Sequence, residues 1–323
     1  MYRSIHPTPV RIALVLLALS LTSWAQNPLP TTTPTQTLAE QNGYAVGVRG
    51  DFSMVYGESR EIVYGGSEKL SELYWDINSV SMVGVVLSLD TPYRLSANTG
   101  FWSAISDGQG AMDDYDWTVY SGDDNWSDWS HSPVEVKDAN RWDVNLAYAL
   151  IQKPEFDLKA QLGYRRMFWK WADQGGYFIY SSENGFRDLA GAFEDITGIE
   201  YEQTFEIPYL GLSTGWRGHK TALDGYVLFS PFVSADDKDH HLYSDTQFTE
   251  SFDNGDFWAA GLSARYQLSS QLYLLAGLEY QEIAEIRGSM TIDGIPIPSS
   301  LADAGISHKS TTGTLALGYE FGR

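Results

Sequence analysis

The sequence predicts an all-β protein, a ten-stranded antiparallel transmembrane β-barrel with long extracellular loops. Three observations point there. Apolar residues recur with period two over long stretches. The chain holds 11 Trp and 20 Tyr, more than a water-soluble core needs and suited to the two interfacial girdles of a barrel. Short turns also alternate with long polar connections, as tight periplasmic turns alternate with extended external loops. A soluble sandwich would alternate too, but it would turn its apolar side chains inward and rarely sustain strands of this length.

The elements follow in order. Residues 1–25 read as a secretory signal peptide: Arg3 and Arg11, an apolar run from Ile12 to Leu21, then Ser23-Trp24-Ala25 with cleavage after Ala25. Residues 26–42 open with Gln26-Asn27-Pro28-Leu29-Pro30, run on into Thr-rich sequence without periodicity, and are expected to form a flexible lead-in. Residues 43–323 are expected to form one outer-membrane barrel domain, and no stretch in them approaches the roughly 20 apolar residues of a membrane-spanning helix.

Strands are expected at 44–58, 70–89, 93–106, 139–151, 156–171, 199–217, 220–235, 247–268, 272–288 and 306–321. Trp142, Val144, Leu146, Tyr148 and Leu150 alternate with Asp143, Asn145, Ala147 and Ala149, so a strand sends the two sets to opposite faces. After Gln152-Lys153-Pro154-Glu155 the pattern resumes, with Phe156, Leu158, Ala160, Leu162 and Tyr164 interleaved by Asp157, Lys159, Gln161 and Gly163. In the last strand Leu315, Leu317, Tyr319 and Phe321 face one way. Turn signals stand at Asp90-Thr91-Pro92, Lys153-Pro154, Gly218-His219 and Ser269-Ser270. An even strand number returns both ends to the periplasm and leaves no open edge in lipid.

The formal charge is −21, and removal of residues 1–25, which takes away Arg3 and Arg11 and no acid, carries it to −23. Such a chain is too acidic for a nucleic-acid partner and favours cationic peptide or protein ligands. With no cysteine there is no disulfide, thiolate nucleophile or cysteine-type zinc site.

Two polar loops, each following a strand-like stretch, carry the chemistry. In an extended backbone Asp114 and Asp116 project from one face a few ångströms apart, close enough to share a proton or hold a water. Asp239 and His241 have the same spacing, which lets the carboxylate orient an imidazole that takes a proton from water. Either pair alone is commonly a solvated surface feature; together, at one barrel rim, they outline a hydrolytic site. His240 is a rival base, but it points away from the face of Asp239. A metal site from Asp239, His240, His241 and His131 is disfavoured because consecutive histidines on a strand do not converge, and no metal is expected. Gly211-Leu212-Ser213-Thr214-Gly215 matches the serine-hydrolase elbow but lies within a strand with no helix after it, and Arg49-Gly50-Asp51 also lies within a strand.

At these residues the chain resembles the omptin family of outer-membrane aspartyl-type proteases. The resemblance rests on Ala111-Met112-Asp113-Asp114-Tyr115-Asp116-Trp117, on the stretch from Gly175 to Asp188, on Pro208-Tyr209-Leu210-Gly211-Leu212, and on strand spacing from Tyr44 to Phe321. It implies a ten-stranded barrel in the bacterial outer membrane with an extracellular active site, water as the nucleophile and cleavage beside basic residues. It assigns Asp114, Asp116, Asp239 and His241 to catalysis, Glu61 and Asp237 to the pocket for the basic residue, and Asp128 to the pocket beyond the scissile bond. No cofactor is expected, and the resemblance raises a requirement for lipopolysaccharide in activity. The chain departs from the family at the exterior arginines that hold that lipid, where Phe168 and Thr204 stand with Arg166 nearby. The segment of Asp128 and His131 is one residue short and lacks its basic neighbour, and Phe321 falls two residues before the terminus.

Two other readings stay open at this stage. One is a non-catalytic adhesin or receptor that binds cationic peptides without cutting them. The other is a passive cation pore, disfavoured because ten strands leave a narrow lumen.

Overall fold

The computed structural model describes residues 43–117, 125–299 and 301–321; the expected signal peptide and lead-in lie outside them. Among the described residues the strands are β1 (Ala45–Gly65), β2 (Glu68–Asp90), β3 (Leu95–Ala104), β4 (Gly108–Asp116), β5 (Asp128–Gln152), β6 (Phe156–Asp173), β7 (Tyr177–Ser182), β8 (Gly185–Ala192), β9 (Ile199–Arg217), β10 (Thr221–His241), β11 (Thr246–Gln267), β12 (Leu272–Ile292), β13 (Ile295–Pro296) and β14 (Asp303–Phe321). All the paired strands run antiparallel, and β14 closes the sheet onto β1 from Val46 opposite Phe321 to Tyr64 opposite Asp303. β3 and β4 lie in succession between β2 and β5 and serve as one wall. With β7, β8 and β13 standing off the cylinder, about ten walls remain.

The bilayer sets the lower half. Exposed side chains there are Val46, Phe52, Val85, Leu87, Leu146, Leu150, Leu210, Leu262, Leu278, Leu315 and Leu317, with Tyr44, Tyr93, Trp216, Tyr266 and Phe321 toward the periplasmic edge and Tyr56, Trp142 and Trp258 toward the outer one. A tilted strand crosses a bilayer in roughly 9–11 residues, whereas β2 has 23 and β5 has 25. More than half of each of these two walls therefore stands outside the lipid. This alters the expectation of long external loops: much of the external polypeptide is continued strand. β1 and β2 meet at a turn through Gly66, and β10 and β11 at a turn through residues 242–245. The expected boundaries fall short for the same reason, with strand four beginning at Asp128 rather than 139 and strand seven reaching His241 rather than 235.

Register shifts occur where the walls leave the bilayer, at Val55/Gly57, Val136/Asp138, Ser230/Val233 and Ile283/Ile286. Each inserts residues into one strand, and on several walls this reverses which positions face inward. In β10 the inward residues below the shift are Ala222, Leu228 and Ser230, and above it they are Val233, Ala235, Asp237 and Asp239. The same reversal runs from Met82 and Val80 to Ile77 and Trp75 in β2, and from Ala149 and Ala139 to Val136 and Val134 in β5.

Within the lipid band the lumen is filled by ion pairs. Arg165 reaches Asp143 at 2.8 Å and Glu279 at 3.0 Å, Arg141 reaches Glu279 at 2.7 Å, and Tyr209 donates to Asp143 at 2.8 Å. A cavity of about 260 Å³ beside them is lined in part by Arg49, Asp51 and Trp102. Above lies an aromatic floor in which Trp75 stacks on Tyr201 with ring centroids 5.0 Å apart and Trp171 packs beside both. Arg165→Ala would leave Asp143 and Glu279 short of a buried partner, so a loss of about 3 kcal/mol or more is expected. Denaturant unfolding of the lipid-reconstituted barrel measures it; an unmoved midpoint would contradict this role.

Candidate active site

The sequence-assigned site residues all lie at the external end of the walls. Asp114 and Asp116 end β4 and Asp128 begins β5. Asp237, Asp239 and His241 end β10, and Glu61 sits near the top of β1. The two doublets were expected in polar loops; both are in strands, where every inward position is aimed by the sheet.

The imidazole of His241 is 2.7 Å from Asp239 through Nε2 and Oδ2. The carboxylate can only accept, so Nε2 carries the proton and Nδ1 is left as the acceptor. Phe248, across the hairpin, packs against the ring at 5.3 Å between centroids. Asp239 is almost fully buried, whereas the side chain of His241 is 41% exposed. Burial works against the charged imidazole, but the hydrogen bond and charge of Asp239, with Asp114 and Asp173 behind them, outweigh it and raise its pKa above the ordinary 6.5.

On the facing wall Ser71 Oγ donates to Asp114 at 3.2 Å. Burial holds the Asp114 carboxyl well above the usual carboxylate range, Asp116 pushes it further, and Ser71 and His241 pull it back. Asp116 is raised to about 6, chiefly by burial, with Ser71 and His241 again opposing. The charge of His241 thus acts on both carboxyls, so the two doublets lie near enough to interact electrostatically.

Beneath them is a pocket of acids. Tyr201 donates to Asp237 at 2.9 Å and is itself held by Gln203 at 2.7 Å. Glu61 is buried, and its Oε2 has no hydrogen-bond donor. Glu250 on β11 lies opposite Asp237 in the sheet register, is 1% exposed, and has no donor to either carboxylate oxygen. Burial lifts all three: Asp237 to about 7, against the hydrogen bond of Tyr201, and Glu61 and Glu250 well above their ordinary values, with the charges of Asp237 and Asp239 adding to both.

Asp128 is fixed from two sides. It accepts from Ser127 Oγ at 2.6 Å and from the backbone N–H of Ser181 at 2.8 Å. Ser181 belongs to the β7–β8 hairpin, which the sequence reading left as an undivided loop. Arg187 on β8 donates to the carbonyl of Trp126 at 2.6 Å and stacks on its ring, so the hairpin clamps the start of β5. Gly176, where this hairpin begins, has φ of 106° and lies where a Cβ would be 2.2 Å from the carbonyl oxygen of His131, so only glycine fits.

Other sequence candidates lie elsewhere. His240 points outward to Asp245 at 3.3 Å, and His131 pairs with Asp113 at 2.9 Å on the outer face of β4 and β5. Gly211–Gly215 lies within β9 and Arg49–Asp51 within β1. Among the described residues no group of His and acidic side chains is arranged to hold a metal ion.

A model of the omptin family matches residues 44–321. The chain belongs to the omptin family. It is similar to the plasminogen activator of Yersinia pestis, with 30% identity over 285 residues covering 85% of this chain and 89% of that protein. Protease 7 of Escherichia coli K12 is 26% identical over 286 residues, covering 85% and 90%. The crystal structure of the outer-membrane protease OmpT from Escherichia coli superposes with a TM-score of 0.81 at 24% identity, spanning 88% of this chain and 100% of that one, which supports the fold. This omptin is therefore an outer-membrane protease of the endopeptidase type.

Sequence reasoning missed Ser71, Tyr201, Phe248 and Glu250 in this omptin. They carry no motif, and cross-strand register alone brings them to the cavity. A usable signal was Pro231: a proline inside a strand marks an edge or a bulge, and the Pro231–Phe232 shift is what turns Asp237, Asp239 and His241 inward. Inserting one alanine between Ala235 and Asp236, above these shifts, is expected to reverse the alternation and turn those three outward. The barrel should still assemble, read by heat-modifiable gel migration, with peptide hydrolysis lost; retained hydrolysis would contradict the assignment.

Proposed function

We propose that this omptin cleaves peptides and proteins next to basic residues, with His241 as general base. Oriented by Asp239, His241 takes a proton at Nδ1 from a water that Asp114 and Asp116 hold against the scissile carbonyl. The carrying observation is the 2.7 Å Asp239–His241 contact together with two carboxyls that feel the imidazole's charge. A carboxyl lifted by burial and a like neighbour keeps a proton near neutrality, so the Asp pair can donate to the carbonyl oxygen as well as position the water. Glu61 and Asp237 then receive the basic side chain through charge-assisted hydrogen bonds, and Asp128 lines the pocket beyond the scissile bond. The acidic rim steers cationic chains toward the site.

Dependence on lipopolysaccharide is proposed to be weak. On the barrel exterior Phe168 pairs with Thr204 and Arg166 with Glu206, so the one arginine among them faces a carboxylate strand to strand. Cleavage by protein refolded in lipopolysaccharide-free detergent should stay within a few-fold of that with the lipid, while strict dependence would refute this.

His241→Ala is expected to lower kcat/KM on an Arg-Arg or Arg-Lys peptide by about 10²-fold or more, measured by mass spectrometry of the products. Intact binding with no cleavage by the wild type would favour the receptor reading instead. The base must be neutral to act, and its pKa is raised, so activity should fall in acid with a midpoint above 6.5. Asp239→Asn removes the group that raises it, and the midpoint should move downward; a profile flat from pH 5 to 8 would rule out a histidine base.

A further inference from the structure

We propose that Glu250 is a specificity-determining residue, a third carboxylate in the pocket that receives the cationic side chain beside the scissile bond. The inference rests on the reading of Glu61 and Asp237 as that pocket.

The position comes from the sheet. Glu250 and Phe252 face inward on β11, and in register Glu250 has Asp237 on one side and Met290 on the other. From the surrounding walls it is faced by Asp237 and Asp239 of β10, Glu61 of β1 and Tyr201 of β9, and by the apolar Met290 of β12. These titratable neighbours are acids or a phenol, and among the described residues no donor reaches either oxygen of Glu250. Neither Oδ1 of Asp237 nor Oε2 of Glu61 has a donor. A buried carboxylate without a donor is costly. It persists in a fold when it holds a proton or when the missing cation arrives from outside.

Both states have a place here. In the empty pocket a proton shared between Asp237 and Glu250 supplies the one donor that two facing carboxylates lack. A guanidinium, with five N–H donors in a planar fork, can satisfy several of the orphaned oxygens at once. Met290 and Phe252 offer apolar surface to the aliphatic stem of the incoming side chain. A purely structural proton-sharing pair would need no third partner and would leave substrate charge irrelevant at Glu250.

The test uses two peptides that differ only in having arginine or citrulline beside the scissile bond, citrulline being the uncharged near-isostere. kcat and KM are measured for the wild type, Glu250→Gln and Glu250→Met, each refolded and checked for heat-modifiable migration. The arginine-to-citrulline ratio of kcat/KM should fall on the order of tenfold in either folded variant, chiefly through KM on the arginine peptide. The citrulline peptide should lose several-fold less than the arginine peptide in both variants. The methionine variant is included because an apolar side chain of similar length removes the buried charge without opening a cavity. An unchanged ratio in a folded variant would overturn the role of Glu250 while leaving the basic pocket standing. A wild type indifferent to the exchange would remove the pocket, and the proposal with it.

Discussion

A closed sheet leaves each side chain two choices, inward or outward, and its neighbours along the strand must take the opposite one. The bilayer makes that choice for the lower half of this barrel, since every exposed leucine in the lipid band fixes its flanking residues toward the lumen. An unbroken strand would carry the same parity up to the rim. The shifts at the outer edge of the bilayer release the upper half from it. In β10 the residues at 237, 239 and 241 face the cavity because Pro231 and Phe232 interrupt the ladder below them. Aiming at the site is thus a backbone property before it is a side-chain one.

The acids are gathered against electrostatic preference. In the lipid band every buried carboxylate of the Arg165 network has a guanidinium or a phenol to meet it, giving a charge-balanced plug. Above the aromatic floor the balance is abandoned: Glu61, Asp114, Asp237, Asp239 and Glu250 crowd together, and several of their oxygens have no donor. The plug gives rigidity and the excess above it gives a receptor for cations. The floor of Trp75, Trp171 and Tyr201 keeps the two regimes apart, and Tyr201 serves both, closing the floor with its ring and holding Asp237 with its hydroxyl.

How much of this was legible in the sequence differs between the halves for a physical reason. In the bilayer one face is hydrocarbon and the other polar, so alternation is sharp, as at Trp142 to Leu150, and the ten walls could be read directly. Outside the bilayer the outer face meets water and the inner one mixes apolar and acidic side chains, so the contrast fades, and the strand ends were placed several residues short. The break between β3 and β4, the β7–β8 hairpin and the parity reversals left no periodic trace, apart from the proline in β10. The doublets at 114/116 and 239/241 stood out because each is complete within three residues. Glu250 did not, being one acid among 42 Asp and Glu, given meaning only by the strand it happens to face.

The reversal at the membrane's outer edge also partitions the molecule for evolution. Residues below it answer to lipid thickness and barrel assembly, residues above it to the peptide being cut, and the interruption keeps a one-position slip in either half from being imposed on the other. An outer-membrane lineage can thus retune its lipid-facing belt for a different host envelope, or its cleft for a different prey sequence, as two nearly independent experiments on one polypeptide.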